Sequence, residues 1–298
     1  MKAGVCLFFE SFSFCQGEKT LLEQLDHLKK LMVRMNSDFI AFFKSDEYDE
    51  KLAATLFSPS SDMGGIMSQF YDMGKVTKVP YSCNELLDII NSDTPVYNHR
   101  LMWMYNSTNN NIITNDRKLT ILNENELVKN CREILDLYPR DYIEYGNNIK
   151  DIFRNLIFLE NNDHPKFKSF NSMNKLVGGF NNFVRGITDF LFFANSYDII
   201  PQDSHSNIKK MSVSLKYVLC EEGGKKSERK PGELNRDFKI EGKIYKDVNC
   251  EFHYKLSYKD GQYNKGTYYN DNRIYFGFFN KIKDQKPKIA IAHIGEHL

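Results

Sequence analysis

The sequence predicts an α+β protein: a helix-rich part over residues 1–203, then a small antiparallel sheet domain over 204–298. Two observations carry this. Apolar residues recur at helical spacing through Glu18–Met35 and Glu124–Tyr138. After the boundary at Ile200-Pro201-Gln202-Asp203-Ser204-His205-Ser206 the period changes from helical to two. The chain of 298 residues is long enough for one large domain or two ordinary ones.

Taken in order, Val5–Phe9 reads as a short buried strand and Glu18–Met35 as an amphipathic helix. Leu21, Leu22, Leu25, Leu28, Met32 and Met35 line one face of that helix, and His27 lies on the polar side as ordinary surface. Asp38–Phe43 reads as strand or helix, and Glu47–Phe57 as a helix stopped by Ser58-Pro59. Met63-Gly64-Gly65 is a turn, because no phosphate-loop frame surrounds it. Asn84–Asn91 is a short capped helix. Thr94–Tyr105 holds His99, Arg100 and the only tryptophan, Trp103, which reads as a core ring beside a solvated arginine or as a base-stacking pair.

Asn106–Asn111 is a polar loop tip. Helices follow at Glu124–Tyr138, Asp141 to about Leu159 and Ser172–Tyr197, the last apolar on most sides and therefore central. Gly178-Gly179 inside it implies close approach of a neighbour. Met211, Val213, Leu215, Tyr217 and Leu219 alternate with more polar residues and read as a strand. Glu221–Glu233 is nearly devoid of apolar residues and reads as an exposed loop. Its Lys225, Lys226, Arg229 and Lys230 are either solvated charge or a basic patch. Phe238–Tyr245 is a further strand, and Lys259-Asp260-Gly261 and Asp271-Asn272 are turn signals of a meander.

Bulk properties narrow the function. With 40 basic and 39 acidic residues there is no global pull toward a polyanion, so any such partner meets a local patch. The six cysteines form no CxxC pair and read as reduced thiols of a cytoplasmic protein. Glu10 ends the apolar start too early for a secretion signal, and no run reaches the length of a membrane span, so no membrane partner is expected.

Chemistry concentrates in the last fifty residues. Alternation places Glu251, His253, Lys255 and Ser257 on one face of a strand, with Cys250, Phe252, Tyr254, Leu256 and Tyr258 on the other. Arg273 and Tyr275 point outward from a second strand whose Ile274, Phe276 and Phe278 point inward. The closing strand carries His293 and ends near His297. If the strands are neighbours, their polar faces merge into one wet surface.

Three chemistries fit that surface. Metal-assisted hydrolysis of the PD-(D/E)xK kind would use Asp247 and Glu251, although the spacing departs from that pattern. Metal-free RNA cleavage needs a base, an acid and cations. His253, His293 and Glu251 with Tyr275 supply catalytic groups, Lys255 and Arg273 supply phosphate clamps, and no cofactor or metal is required. A zinc pair from His293 and His297 needs a helix, which Gly295 and the closing Leu298 disfavour. Set against all three, such a face is also what cross-strand charge pairing on a half-exposed sheet produces.

The segments Arg273-Ile274-Tyr275-Phe276 and Ile289-Ala290-Ile291-Ala292-His293-Ile294-Gly295-Glu296-His297-Leu298 resemble the closing strands of RelE- and HigB-like bacterial toxins. The resemblance covers about the last quarter of the chain. It implies cutting of messenger RNA on the ribosome by an antiparallel sheet, while the long N-terminal part departs from those small toxins. The same ending resembles the His-Ile-Gly-x-His-Leu close of other bacterial proteins, which implies no activity. The expectation is a cytoplasmic bacterial toxin or phage-defence effector acting on RNA, with residues 1–203 regulating it or binding a protein partner. The alternative is a non-enzymatic module that binds nucleic acid or protein.

Overall fold

The computed structural model describes residues 2–14, 17–56, 66, 69–70, 73–92, 94–105, 120–137, 141–160, 180–221, 232–256, 272–282 and 285–298, and of 56 and 101–104 the backbone alone. The protein is mixed α+β, as its patterning implies, and has two compact units, Met1–Ile134 and Leu135–Leu298.

The first unit is built on a mostly parallel sheet. Its strands are β1 (Lys2–Leu7), β2 (Ile40–Lys44), β3 (Val76–Lys78), β4 (Pro95–Val96), β5 (His99–Tyr105) and β6 (Thr120–Ile121). They run β3-β2-β1-β5-β4, with β6 also joined to β5; every pair is parallel except β4 with β5. Ala3, Val5, Cys6 and Leu7 are all buried, the continuous apolar run expected of a parallel strand covered on both sides. Helices α1 (Glu18–Met35), α2 (Tyr48–Leu56) and α3 (Cys83–Asn91) connect the strands. The bounds of α1 agree with the leucine spacing. In α3 the Ser82 hydroxyl accepts from the Glu85 amide at 3.3 Å while the Glu85 carboxylate accepts from the Ser82 amide at 2.8 Å, a reciprocal cap. The helices were legible and most of the sheet was not, because β3, β4 and β6 are too short to show a period. Helix α4 (Glu124–Leu137) runs through the division between the units.

The second unit begins well before residue 204. Helix α5 (Tyr142–Ile152) ends where Asp141–Leu159 was expected to continue, and β7 (Ile157–Phe158) pairs in parallel with the last strand of the chain. Helix α6 (Val184–Ser196) follows, joined to α5 by a 2.7 Å hydrogen bond between the Tyr145 and Thr188 hydroxyls. The strand expected from Met211 is instead the end of α7 (Ser204–Ser214). The Asp203 carboxylate accepts from the Ser206 amide at 2.9 Å, and Asn207, Ile208 and Met211 form its buried face. Capping and helical burial override the alternation, and Val213, one of the alternating apolar residues, is 85% exposed. The period therefore does not change at 203/204, and the segment before it belongs with the sheet after it.

That sheet contains β8 (Leu219–Glu221), β11 (Phe252–Lys255), β12 (Asn272–Phe279) and β13 (Lys288–Glu296), ordered β7-β13-β12-β11-β8 and antiparallel except at β7. The isoleucines of β13 stand at 289, 291 and 294, a spacing that regular alternation cannot keep on one side. A bulge between Tyr275 and Phe276 resolves it: Ile294 opposes Ile274, Ile291 opposes Phe276 and Ile289 opposes Phe278. All three then share the face covered by α6, whose Phe190 ring lies 5.0 Å from Tyr254 and 5.2 Å from Phe276.

The opposite face receives a two-stranded ribbon, β9 (Asn235–Ile240) and β10 (Lys243–Asn249). Glu241 and Gly242 join them, with φ of 50° and 80°, the positive pair a tight hairpin turn requires. Leu234, Phe238, Val248 and Cys250 form one buried cluster with Tyr275, Phe279 and Ala290.

The expected features at Gly64-Gly65, Asn106–Asn111, Gly178-Gly179, Lys225–Lys230 and Lys259–Gly261, with the side chain of Trp103, lie outside the described residues.

Gly277 is where the ribbon meets the sheet. A Cβ there would overlap the carbonyl oxygen of Asn249 and come within 3.3 Å of the Cys250 sulfur. Backbone cannot yield as a side-chain tip does. Gly277→Ala is expected to destabilise the protein by about 1–3 kcal/mol, read as a lowered urea midpoint. An unchanged midpoint would show that the ribbon does not bear on β12.

Candidate functional site

The register of the C-terminal sheet decides which side chains meet. Residues directly opposite one another on neighbouring strands point to the same side. Cys220 opposes His253, His253 opposes Tyr275, and Tyr275 opposes His293. The four form one row across four strands. The Cys220 sulfur and His253 Nε2 are 2.9 Å apart. The Tyr275 ring centroid lies 5.4 Å from that of His253, 6.2 Å from His293 and 6.4 Å from His297.

Two residues along on the same face, Lys255 opposes Arg273. Like charges directly across a ladder repel. The end of the chain folds back over this region. His293 Nε2 donates to the Glu296 carbonyl at 3.1 Å, and the Leu298 amide donates to the Tyr275 hydroxyl at 3.4 Å. A carbonyl only accepts, so this bond fixes the proton of neutral His293 on Nε2.

Five expected site residues thus share a face: His253, Lys255, Arg273, Tyr275 and His293. Glu251 does not join them. It precedes β11, and its carboxylate accepts from the Asn249 side chain at 2.7 Å. His297 lies past the end of β13 and is exposed, so His293 and His297 do not have the helical spacing of a zinc pair. Among the described residues no His, Cys, Asp and Glu side chains are grouped closely enough to hold a metal ion.

The expected wet surface is corrected. Exposure is 4% at His253, 7% at Arg273, 0% at Tyr275 and 2% at His293. The alternation was read as one dry and one solvated face. Both are dry, because the ribbon packs its apolar side on the face opposite α6. Burial holds the His293 imidazole far below its ordinary 6.5, at about 4; the bond to Glu296 opposes this shift and the Arg236 guanidinium adds to it.

Sequence reasoning missed two groups. Cys220 enters the row through non-local pairing, in a strand expected several residues earlier. In the first unit the segments following β1, β2 and β3 bring together Glu10, Ser45, Lys51 and Cys83. Lys51 Nζ is 3.0 Å from the Glu10 carboxylate and 3.5 Å from the Cys83 sulfur, which is 3.3 Å from the Ser45 hydroxyl. Burial outweighs Ser45 and Lys51 and pushes the Cys83 thiol above its ordinary value. Among the described residues no helix is long and apolar enough to cross a membrane.

Comparison with protein-family models, with curated proteins and with solved structures finds no match to this chain.

The depressed His293 value makes stability depend on pH. Unfolded, this imidazole takes a proton near 6.5; folded, only near 4, so between those values the unfolded chain binds more protons. Stability is full above the unfolded value and falls as pH drops through the window, by ~3 kcal/mol at its lower end. Urea midpoints measured across this range should fall with acidification, and less steeply in His293→Gln. Equal slopes would assign the effect elsewhere.

Proposed function

We propose that the C-terminal unit is an RNA-cleaving effector module of the bacterial toxin kind that works without a metal, and that the N-terminal unit serves a regulatory or partner-binding role. The observation that carries this reading is the cross-strand row: one tyrosine between two imidazoles, with the Lys255–Arg273 pair two residues along on the same face.

Each step of RNA cleavage has a group on that face. An imidazole removes the proton of a 2′-hydroxyl, which attacks the adjacent phosphorus. A second imidazole returns a proton to the departing 5′-oxygen. His293, held neutral at pH 7 by burial, suits the base, and His253 the acid. Lys255 and Arg273 carry the charge that develops on the phosphate, and Tyr275 orients it. The low exposure of the row requires the β9–β10 ribbon to lift from β12 before substrate enters.

That burial also favours a second reading, in which the row is a polar seam that pins the sheet and the chain binds nucleic acid or protein without cutting it.

Purified protein incubated with a single-stranded RNA oligonucleotide in EDTA separates the two. Cleavage is expected with the chelator present, and His253→Ala and His293→Ala should each lower its rate by about 100-fold or more with the circular dichroism spectrum retained. Cleavage unchanged in both folded variants, or abolished by EDTA, refutes the reading. RNA retained intact supports the binding module.

A further inference from the structure

Five cysteines lie among the described residues, all with thiols, and four of them, Cys6, Cys83, Cys131 and Cys250, are buried. Burial alone pushes the thiols of Cys6 and Cys131 well above their ordinary value, and that of Cys250 to about 12 against the opposing pull of Arg236. A protonated, enclosed thiol is chemically inert. Cys220 differs in three respects. It is only half-buried. It lies on β8, the edge strand of its sheet, whose outer side pairs with no further strand among the described residues. Its sulfur is 2.9 Å from His253 Nε2, within reach of direct proton transfer.

We propose that Cys220 is a nucleophilic thiol activated by His253, and that its substrate class is a peroxide, which oxidises it to the sulfenic acid. His253 is held for this task from both sides, by the cross-strand pairing to Cys220 and by the Tyr275 ring at 5.4 Å. Nucleophile, base and a third group that fixes the base are the elements such activation needs. A peroxide is small and uncharged and asks for no shaped pocket, only for an edge-strand sulfur.

The step balances as follows. His253 takes the thiol proton and leaves a thiolate. The sulfur attacks one peroxide oxygen, the S–O bond forms and the O–O bond breaks. The departing hydroxide takes the proton back from the imidazolium and leaves as water. Sulfur is oxidised by two electrons and the peroxide is reduced, with no other reactant.

This inference does not rest on the RNA-cleaving reading, because its readout is the mass of a labelled peptide. The full chain is treated with limiting hydrogen peroxide, trapped with dimedone, digested and analysed by mass spectrometry. The Cys220 peptide should carry the adduct at lower peroxide than peptides of Cys6, Cys83, Cys131 or Cys250, and His253→Gln should slow its formation by about tenfold or more. Equal labelling across the five, or an unchanged rate in folded His253→Gln, overturns the proposal. A second measurement needs only the natural chain. The rate of Cys220 alkylation by iodoacetamide should stay nearly level as pH falls from about 8 toward 7, whereas an ordinary thiol of pKa about 8.5 loses roughly tenfold per unit. A tenfold fall per unit also overturns it.

Discussion

Register among β11, β12 and β13 is the constraint on which the second unit depends. Side chains on a strand alternate with period two, so a slip of one residue would carry His253, Tyr275 and His293 to the α6 face and the phenylalanines and isoleucines to the ribbon face. Two local features pin it. The bulge after Tyr275 absorbs the uneven spacing of Ile289, Ile291 and Ile294, and Gly277 admits the backbone of Asn249 where a side chain would exclude it. Both bear on β12. The polar row and the apolar face are therefore set by one geometric decision.

Sandwiching the sheet changes the chemistry of its polar groups. On a half-exposed sheet, His293 would keep its hydration, and Lys255 opposite Arg273 would be screened by water. Beneath the ribbon, His293 is kept neutral by lost hydration, while Arg236 adds cationic pressure in the same direction. The backbone compensates. The chain end folds back so that Glu296 and Leu298 meet His293 and Tyr275, the same economy of partners that buried polar groups require. The half-buried edge holding Cys220 is the part of the row with the readiest access to solvent.

The two units arrange polar chemistry differently. In the first, Lys51 is tied to Glu10 beside a thiol that desolvation keeps protonated, so the cluster stores its charges in an ion pair. In the second, imidazole, phenol and thiol side chains meet in one cross-strand row. Among the described residues, the second arrangement sets a thiol within hydrogen-bond distance of an imidazole.

Local pattern was enough for much of this. Leucine spacing gave α1 its bounds, a short capped helix was expected at Asn84–Asn91, where α3 lies, and alternation put His253 with Lys255 on one strand face and Arg273 with Tyr275 on another. Those properties depend on residues a few positions apart. Other outcomes required contacts between distant parts of the chain. The alternating run from Met211 became helical because Asp203 capped it and Ile208 found a core. β7 joined β13 across more than a hundred residues, placing sequence before 204 in the same sheet. The face read as wet became dry once the ribbon covered it, and Cys220 met His253 only through the pairing of β8 with β11. Periodicity specifies which side a residue takes; what lies on that side is decided by packing between segments that no local window contains.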